Sequence, residues 1–223
     1  MKRVFYDREE AGKLLAKRLQ AYAGRADVLV LALPRGGVVV GSEVAQALHV
    51  PLDVLIVRKL GVPGHEELAM GAIASGGIRV LNENVLSQLF ISPEDIERVA
   101  VSEQRELARR EQAYRGDRPL PAVRGKIVLL VDDGIATGTT MRSAVEALQQ
   151  QQPAKIIVAV PVAAQSSCAE FDCPDTQKMC VCLLTPESFF AVGLWYENFA
   201  QTTDEEVRKL LARAWQEQAV SNR

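Results

Sequence analysis

The amino-acid sequence predicts an α/β fold, a central and mostly parallel sheet with helices on both faces. Three observations point there. Short apolar runs alternate with segments of helical period from one end of the chain to the other, as strands joined by crossover helices do. Two runs, Val28–Leu33 and Ile127–Val131, are continuously apolar, the mark of strands buried on both faces. Each ends in a loop of small residues, Pro34-Arg35-Gly36-Gly37 and Gly134 to Thr140. In an open parallel sheet that edge is where ligands bind.

Taken in order, Asp7 caps a helix reaching about Ala23, with Ala11, Leu14, Leu15 and Leu19 at helical spacing. After the first strand and its loop, Val40, Val44, Ala47 and Leu48 restore a helical period, and Leu52–Val57 is the next strand. Arg58 to Gly77 is glycine-rich, contains Pro63, and reads as a long loop closing in a hairpin of Ala69–Ala74 and Ile78–Leu81. Loops of that length inside compact domains are often functional. Ser92-Pro93-Glu94-Asp95 opens a charged helix to about Tyr114, with serine as cap and proline at the first position. Its Glu103, Glu106, Arg109 and Arg110 suit a solvated face, or else the wall of a site or dimer interface. Strand Ile127–Val131, helix Thr139–Gln150, strands Ile156–Val160 and Met179–Leu184, and helix Asp204–Glu217 complete the chain. At 223 residues this is expected to be one domain with its core at about 25–165.

Composition narrows the function. A formal charge of −2 gives no broad basic field, which disfavours nucleic acid as a partner. No apolar run reaches the roughly 18–20 residues of a membrane helix. The start, Met1-Lys2-Arg3-Val4, turns charged without the apolar stretch of a signal peptide. A cytoplasmic protein with no membrane partner is the expectation. Cys168, Cys173, Cys180 and Cys182 include no CxxC pair, and His49 and His65 lie far off in sequence. Cys180 and Cys182 alternate as two residues on one strand face would. Buried or incidental thiols are expected, with a metal or redox site as the lesser alternative.

The chemistry concentrates in Ile127-Val-Leu-Leu-Val-Asp-Asp-Gly-Ile-Ala-Thr-Gly-Thr-Thr140. A buried strand delivers Asp132 and Asp133 to its carboxyl end, and a Gly/Ala/Thr loop then enters a helix. Small residues let backbone N–H groups approach a phosphate, and a helix N-terminus favours the anion. Carboxylates only accept hydrogen bonds, so the acids suit hydroxyls or a hard metal ion. A sugar phosphate satisfies both halves. The plainer alternative is an acid pair capping a helix. No lysine precedes the threonines as in a Walker loop, and no GxGxxG is present.

This segment resembles the phosphoribosyl pyrophosphate signature of type I phosphoribosyltransferases, and the resemblance extends over most of the chain. It implies that Asp132 and Asp133 bind the ribose hydroxyls at the catalytic centre and hold magnesium, directly or through water or ribose. Ala136, Thr137, Gly138, Thr139 and Thr140 would cradle the 5′-phosphate. Ala136 stands where 6-oxopurine enzymes carry an acid/base aspartate, so hypoxanthine and guanine are not expected acceptors. Arg35, Gly36 and Gly37 fall at the family's pyrophosphate loop, with a cis peptide implied between Pro34 and Arg35. Arg58 and Lys59, ending the second strand, would contact pyrophosphate. The segment at about 58–77 matches the family's mobile loop, whose candidate acid/base groups are Glu67, Glu66 and His65, with Glu67 placed first.

Ser188 to Asn198 resembles a base-binding stretch, with Phe190 at the stacking position and Glu197 near an exocyclic amine; Trp195 and Tyr196 read rather as core. A small hood from residues 179–200 and the N-terminal segment completes the implied architecture, in a homodimer. The implied reaction moves ribose 5-phosphate from phosphoribosyl pyrophosphate to a nitrogenous base or amine, releasing pyrophosphate. The alternative is a non-catalytic sensor or regulator binding the same donor. The pattern is closer to a bacterial subgroup than to a named salvage enzyme.

Overall fold

The computed structural model describes residues 4–171 and 178–221. In chain order the elements are α1 (Arg8–Arg18), β1 (Val28–Ala32), α2 (Gly36–Leu48), β2 (Leu52–Val54), β3 (Val57–Val62), β4 (His65–Ala74), β5 (Ile78–Leu81) and α3 (Glu83–Leu89). There follow α4 (Pro93–Arg115), β6 (Ile127–Val131), α5 (Thr139–Gln150), β7 (Lys155–Val162), α6 (Gln165–Phe171), β8 (Lys178–Leu184) and α7 (Asp204–Ser221). They fall into two compact units. One comprises Met1–Val54, Pro121–Gly138 and Gln152–Arg223; the other comprises Leu55–Leu120 and Thr139–Gln151.

The first unit is built on a five-stranded sheet of order β2-β1-β6-β7-β8, every neighbouring pair parallel. All five residues of β1 are buried, as are Val128–Val131 of β6. Each such Val or Leu contributes about 1.5–3 kcal/mol on leaving water. β1 and β6 lie side by side with Ala32 level with Val131, so their carboxyl ends open at the same height. That register places the loop after β1 beside the acids after β6.

A small cap grows from both ends of the chain, as the resemblance implied. Phe5 bridges Tyr196 in parallel, with the Phe5 N–H donating to Trp195 O at 2.9 Å and Glu197 N–H to Phe5 O at 2.8 Å. Phe5, Ala11, Val162, Trp195 and Tyr196 form one buried cluster. Trp195 and Tyr196 are therefore core.

The second unit corrects the sequence reading. The hairpin of Ala69–Ala74 and Ile78–Leu81 is present as β4–β5, but the segment from Arg58 to Leu68 is not a loop: β3 pairs with β4, and β3, β4 and β5 form a three-stranded antiparallel sheet. Pro63 and Gly64 make its first turn, Gly64 at φ +77°, a place where proline followed by glycine is favoured. Nor does the second strand run to Val57. It ends at Val54, and both backbone groups of Ile56 bond to Ser75 instead: Ile56 N–H donates to Ser75 Oγ at 3.0 Å, and Ser75 N–H to Ile56 O at 2.9 Å. Arg58 and Lys59 thus belong to β3 and not to the end of a parallel strand. On α4, Glu106 pairs with Arg109 at 2.7 Å and Arg110 at 2.8 Å on an exposed face, while Tyr114 is buried. Two short helices, α3 and α6, were not anticipated.

Candidate active site

β6 ends at Val131, and the next two side chains, Asp132 and Asp133, are half-buried. Arg8, the first residue of α1, reaches Asp133: its Nε donates to Oδ2 at 2.8 Å, and Nη1 donates to the Ala200 carbonyl at 2.8 Å. The guanidinium also lies 3.8 Å above the centre of the Phe199 ring, a favourable cation–π placement. Tyr196 Oη donates to the Asp133 carbonyl at 2.5 Å. Burial pushes the Asp132 carboxyl well up, and the charge of Asp133 adds to the shift. Burial also raises Asp133, against the pull of Arg8. Without a ligand this pair resists carrying two negative charges, as close carboxylates do.

The loop after β1 closes against these acids. A Cβ on Gly36 would fall 2.0 Å from Asp133 Oδ2 and 2.8 Å from Arg8 Nε. One on Gly37 would fall 2.9 Å from the Asp132 Cα and Oδ1. Both positions therefore require glycine for close approach to the carboxylates, and Gly36 and Gly37 open α2. The peptide between Pro34 and Arg35 is cis. Arg35 is partly exposed and faces Asp204 of α7 across 3.8 Å.

Beyond the acids, Gly134 is overlain by Val192: an added Cβ would sit 2.5 Å from Val192 Cγ1. Ala136 and Thr137 are exposed, and Gly138 turns the chain at φ +74°. α6 braces this loop from below, Ser167 Oγ donating to the Ala136 carbonyl at 2.7 Å. Thr139 and Thr140, both exposed, begin α5.

In the cap, Phe190 is 83% exposed whereas its neighbour Phe189 packs on the buried cluster. Glu197 is exposed, and its backbone N–H holds Phe5. In the second unit, Arg58 is tied to Glu103 of α4 at 2.7 Å. Lys59 pairs loosely with the fully exposed Glu67 at 3.7 Å, and His65 and Glu66 are exposed at the start of β4. Among the described residues, no group of three His, Cys, Asp or Glu side chains is arranged to hold a metal ion. No helix among them is long and apolar enough to cross a membrane.

Arg8 was missed from sequence, since nothing local marks an arginine that acts across 125 positions. Ser167 and Phe171 were missed with their helix. Tyr196 was read as core, which it is, but its hydroxyl also steadies the Asp133 backbone.

A parallel sheet that ends in an acid pair, a Gly/Thr loop and a second glycine loop defines a class of α/β protein. Comparison with known proteins makes it specific. The family profile of the phosphoribosyl transferase domain matches residues 6–193, and the chain belongs to the type I phosphoribosyltransferase family. Two Mycobacterium tuberculosis proteins, provisionally named as phosphoribosyl transferases, are 45% identical over 212 residues. The match covers 95% of this chain but 47% of theirs, so the chain spans about half the length of these curated relatives. The crystal structure of TT1426 from Thermus thermophilus is similar at a TM-score of 0.82 with 41% identity, covering 94% of this chain and 98% of that one. A hypothetical protein from Neisseria gonorrhoeae, solved with bound ppGpp, shares the fold at a TM-score of 0.50 and 16% identity, covering 96% of this chain and 98% of that one.

Proposed function

We propose that this chain transfers ribose 5-phosphate from phosphoribosyl pyrophosphate to a ring nitrogen of an aromatic base, releasing pyrophosphate. One observation carries the reading. Asp132 and Asp133 stand at the carboxyl end of β6, beside Gly36 and Gly37 where the loop after β1 enters α2, with small-residue loops after both strands. Acids for a diol and backbone N–H groups for phosphates match the two chemistries of a phosphorylated sugar.

In this reading Asp132 and Asp133 accept hydrogen bonds from the ribose hydroxyls, and Arg8 and Tyr196 hold Asp133 in place. Ala136 to Gly138 receive the 5′-phosphate. The backbone of Arg35, Gly36 and Gly37 faces the pyrophosphate. The acceptor nitrogen attacks C1 of the ribose as the C1–O bond to pyrophosphate breaks. Negative charge on the acid pair favours the positive charge that develops on the ring. Phe190 offers an exposed face for the acceptor ring, and Glu197 an acceptor for an exocyclic amine. Ala136 has no side chain able to exchange a proton with that ring.

Magnesium fits these residues only in company with the donor. Two carboxylates are too few for an all-protein site, whereas magnesium is commonly held by one or two carboxylates, substrate phosphates and water. Bound that way it would offset the charge of the leaving pyrophosphate.

Incubation with phosphoribosyl pyrophosphate, magnesium and a panel of bases, following pyrophosphate release, tests the proposal. Release is expected with an aromatic acceptor other than hypoxanthine or guanine. Donor binding without release for any acceptor would overturn the transferase reading in favour of a sensor.

A further inference from the structure

Cys168, Cys180 and Cys182 are only partly buried, against the expectation of buried thiols, and Cys173 lies outside the described residues. The surface that stands open for a partner belongs to the second unit, on α4. This helix packs on β3 and β4 through one stripe, with Ala100, Leu107 and Tyr114 buried at intervals of seven residues. A second stripe, Glu94, Arg98, Val101, Arg105, Ala108 and Gln112, is exposed along its whole length. Its spacing alternates four and three residues, the spacing by which two helices pack along a shared seam.

The charges along α4 are nearly all neutralised within the unit. Asp95 pairs with Arg98, Glu97 with Arg79 and Glu103 with Arg58. Glu106 pairs with Arg109 and Arg110, and Glu111 with Arg115. Glu94 and Arg105 have no such partner among the described residues. They are opposite in sign, both lie on the exposed stripe, and they stand about 16 Å apart along the helix.

A second copy of the chain supplies what each of them lacks. Two α4 helices laid antiparallel, about a two-fold axis midway between Glu94 and Arg105, set Glu94 of each copy against Arg105 of the other. The same register sets Val101 against the aliphatic stem of Arg98, whose head Asp95 holds. A parallel pair would set Glu94 against Glu94 and Arg105 against Arg105, so charge selects the antiparallel arrangement. Ion pairs this exposed add little affinity, and apolar burial has to supply it. Just before α4 stand Leu89 and Phe90, 44% and 91% exposed. They lie at the end that this register brings toward Ala108 of the second copy.

We propose that α4 is the contact face of a two-fold symmetric homodimer, paired antiparallel through Glu94, Val101 and Arg105, with Leu89 and Phe90 covered at each end. Such an interface is isologous and closes on itself. It stands independently of the transferase reading.

The test is sedimentation equilibrium of the full chain over a range of protein and salt concentrations. A dimer is expected, weaker at high salt because exposed ion pairs are screened. Glu94→Arg and Arg105→Glu each set like charges opposite one another at both ends of the pairing, and each should weaken the dimer by about tenfold or more. Melting curves confirm that both variants are folded. Mixed in equal amounts, they should form a heterodimer, because the new arginine of one faces the new glutamate of the other. Phe90→Ser should weaken the dimer without changing its salt dependence. A monomer at every concentration, a dimer indifferent to both charge reversals, or folded variants that do not pair on mixing would overturn the proposal.

Discussion

Asp132 and Asp133 sit half-buried, with Arg8 and Tyr196 fixing one of them from the first helix and the cap. Lys59 and Glu67, the other charges that the family pattern singles out, ride on an antiparallel hairpin and meet loosely at 3.7 Å, with Glu67 fully exposed. The difference is one of dielectric surroundings. Charges partly removed from water interact strongly, shift one another's protonation, and are costly to leave unpaired. Exposed pairs are screened and contribute little. The acid end of the parallel sheet is therefore pre-organised by the fold, whereas the hairpin charges are held only weakly.

The contrast can be broken, and the largest effect is expected at Gly36. In Gly36→Ala the new methyl must enter the space of Asp133 and Arg8. Overpacking of this kind costs about 1–3 kcal/mol, and the displaced carboxylate should abolish measurable donor binding. Thermal melts and calorimetry read the two consequences separately. Stability kept with donor affinity intact would show that the loop has room to yield.

Arg8→Gln comes next. It removes a charge-assisted hydrogen bond and the contact with Phe199, a loss of about 1.5–3 kcal/mol by the usual worth of such bonds. Denaturant unfolding should register it. No change would mean that the ion pair is incidental.

The acid pair also sets a pH dependence, and Asp132→Asn sharpens the comparison. The folded protein raises Asp132 above the ordinary carboxylate value of 3.8, so it binds that proton more tightly than the unfolded chain does. The stability this gives is fully present below 3.8 and is lost as pH rises through the folded value. In the absence of donor, the melting temperature of the wild type should therefore fall over that window more steeply than that of Asp132→Asn. Parallel profiles would deny the raised carboxyl. The smallest effect belongs to Lys59→Ala, where stability should stay within about 0.5 kcal/mol because the pair is exposed.

What could be read in advance follows the same divide between local and distant interactions. The strand, acids, loop and helix from Ile127 to Gln150 are contiguous, so each signal reinforces the next, and both element boundaries coincide with those found. The cis peptide and the cap were legible through resemblance rather than pattern. The β3–β4 hairpin was not legible, because register shifts at Leu60/Gly61 and Gly61/Val62 break the alternation of strand residues. α6, seven residues long, is too short to display a helical period. The Arg8–Asp133 pair depends on tertiary packing that no window of sequence contains.

The central claim is that Asp132 and Asp133 bind the ribose of the donor, and one titration tests it most directly. Phosphoribosyl pyrophosphate is titrated calorimetrically, at fixed magnesium, into the wild type and into Asp132→Asn/Asp133→Asn. A melting curve confirms that the variant is folded. Losing charged acceptors for the diol should weaken donor binding by at least tenfold, since one such bond is worth about 1.5–3 kcal/mol and 1.4 kcal/mol is tenfold. Equal affinity in the folded variant would contradict the assignment of the site.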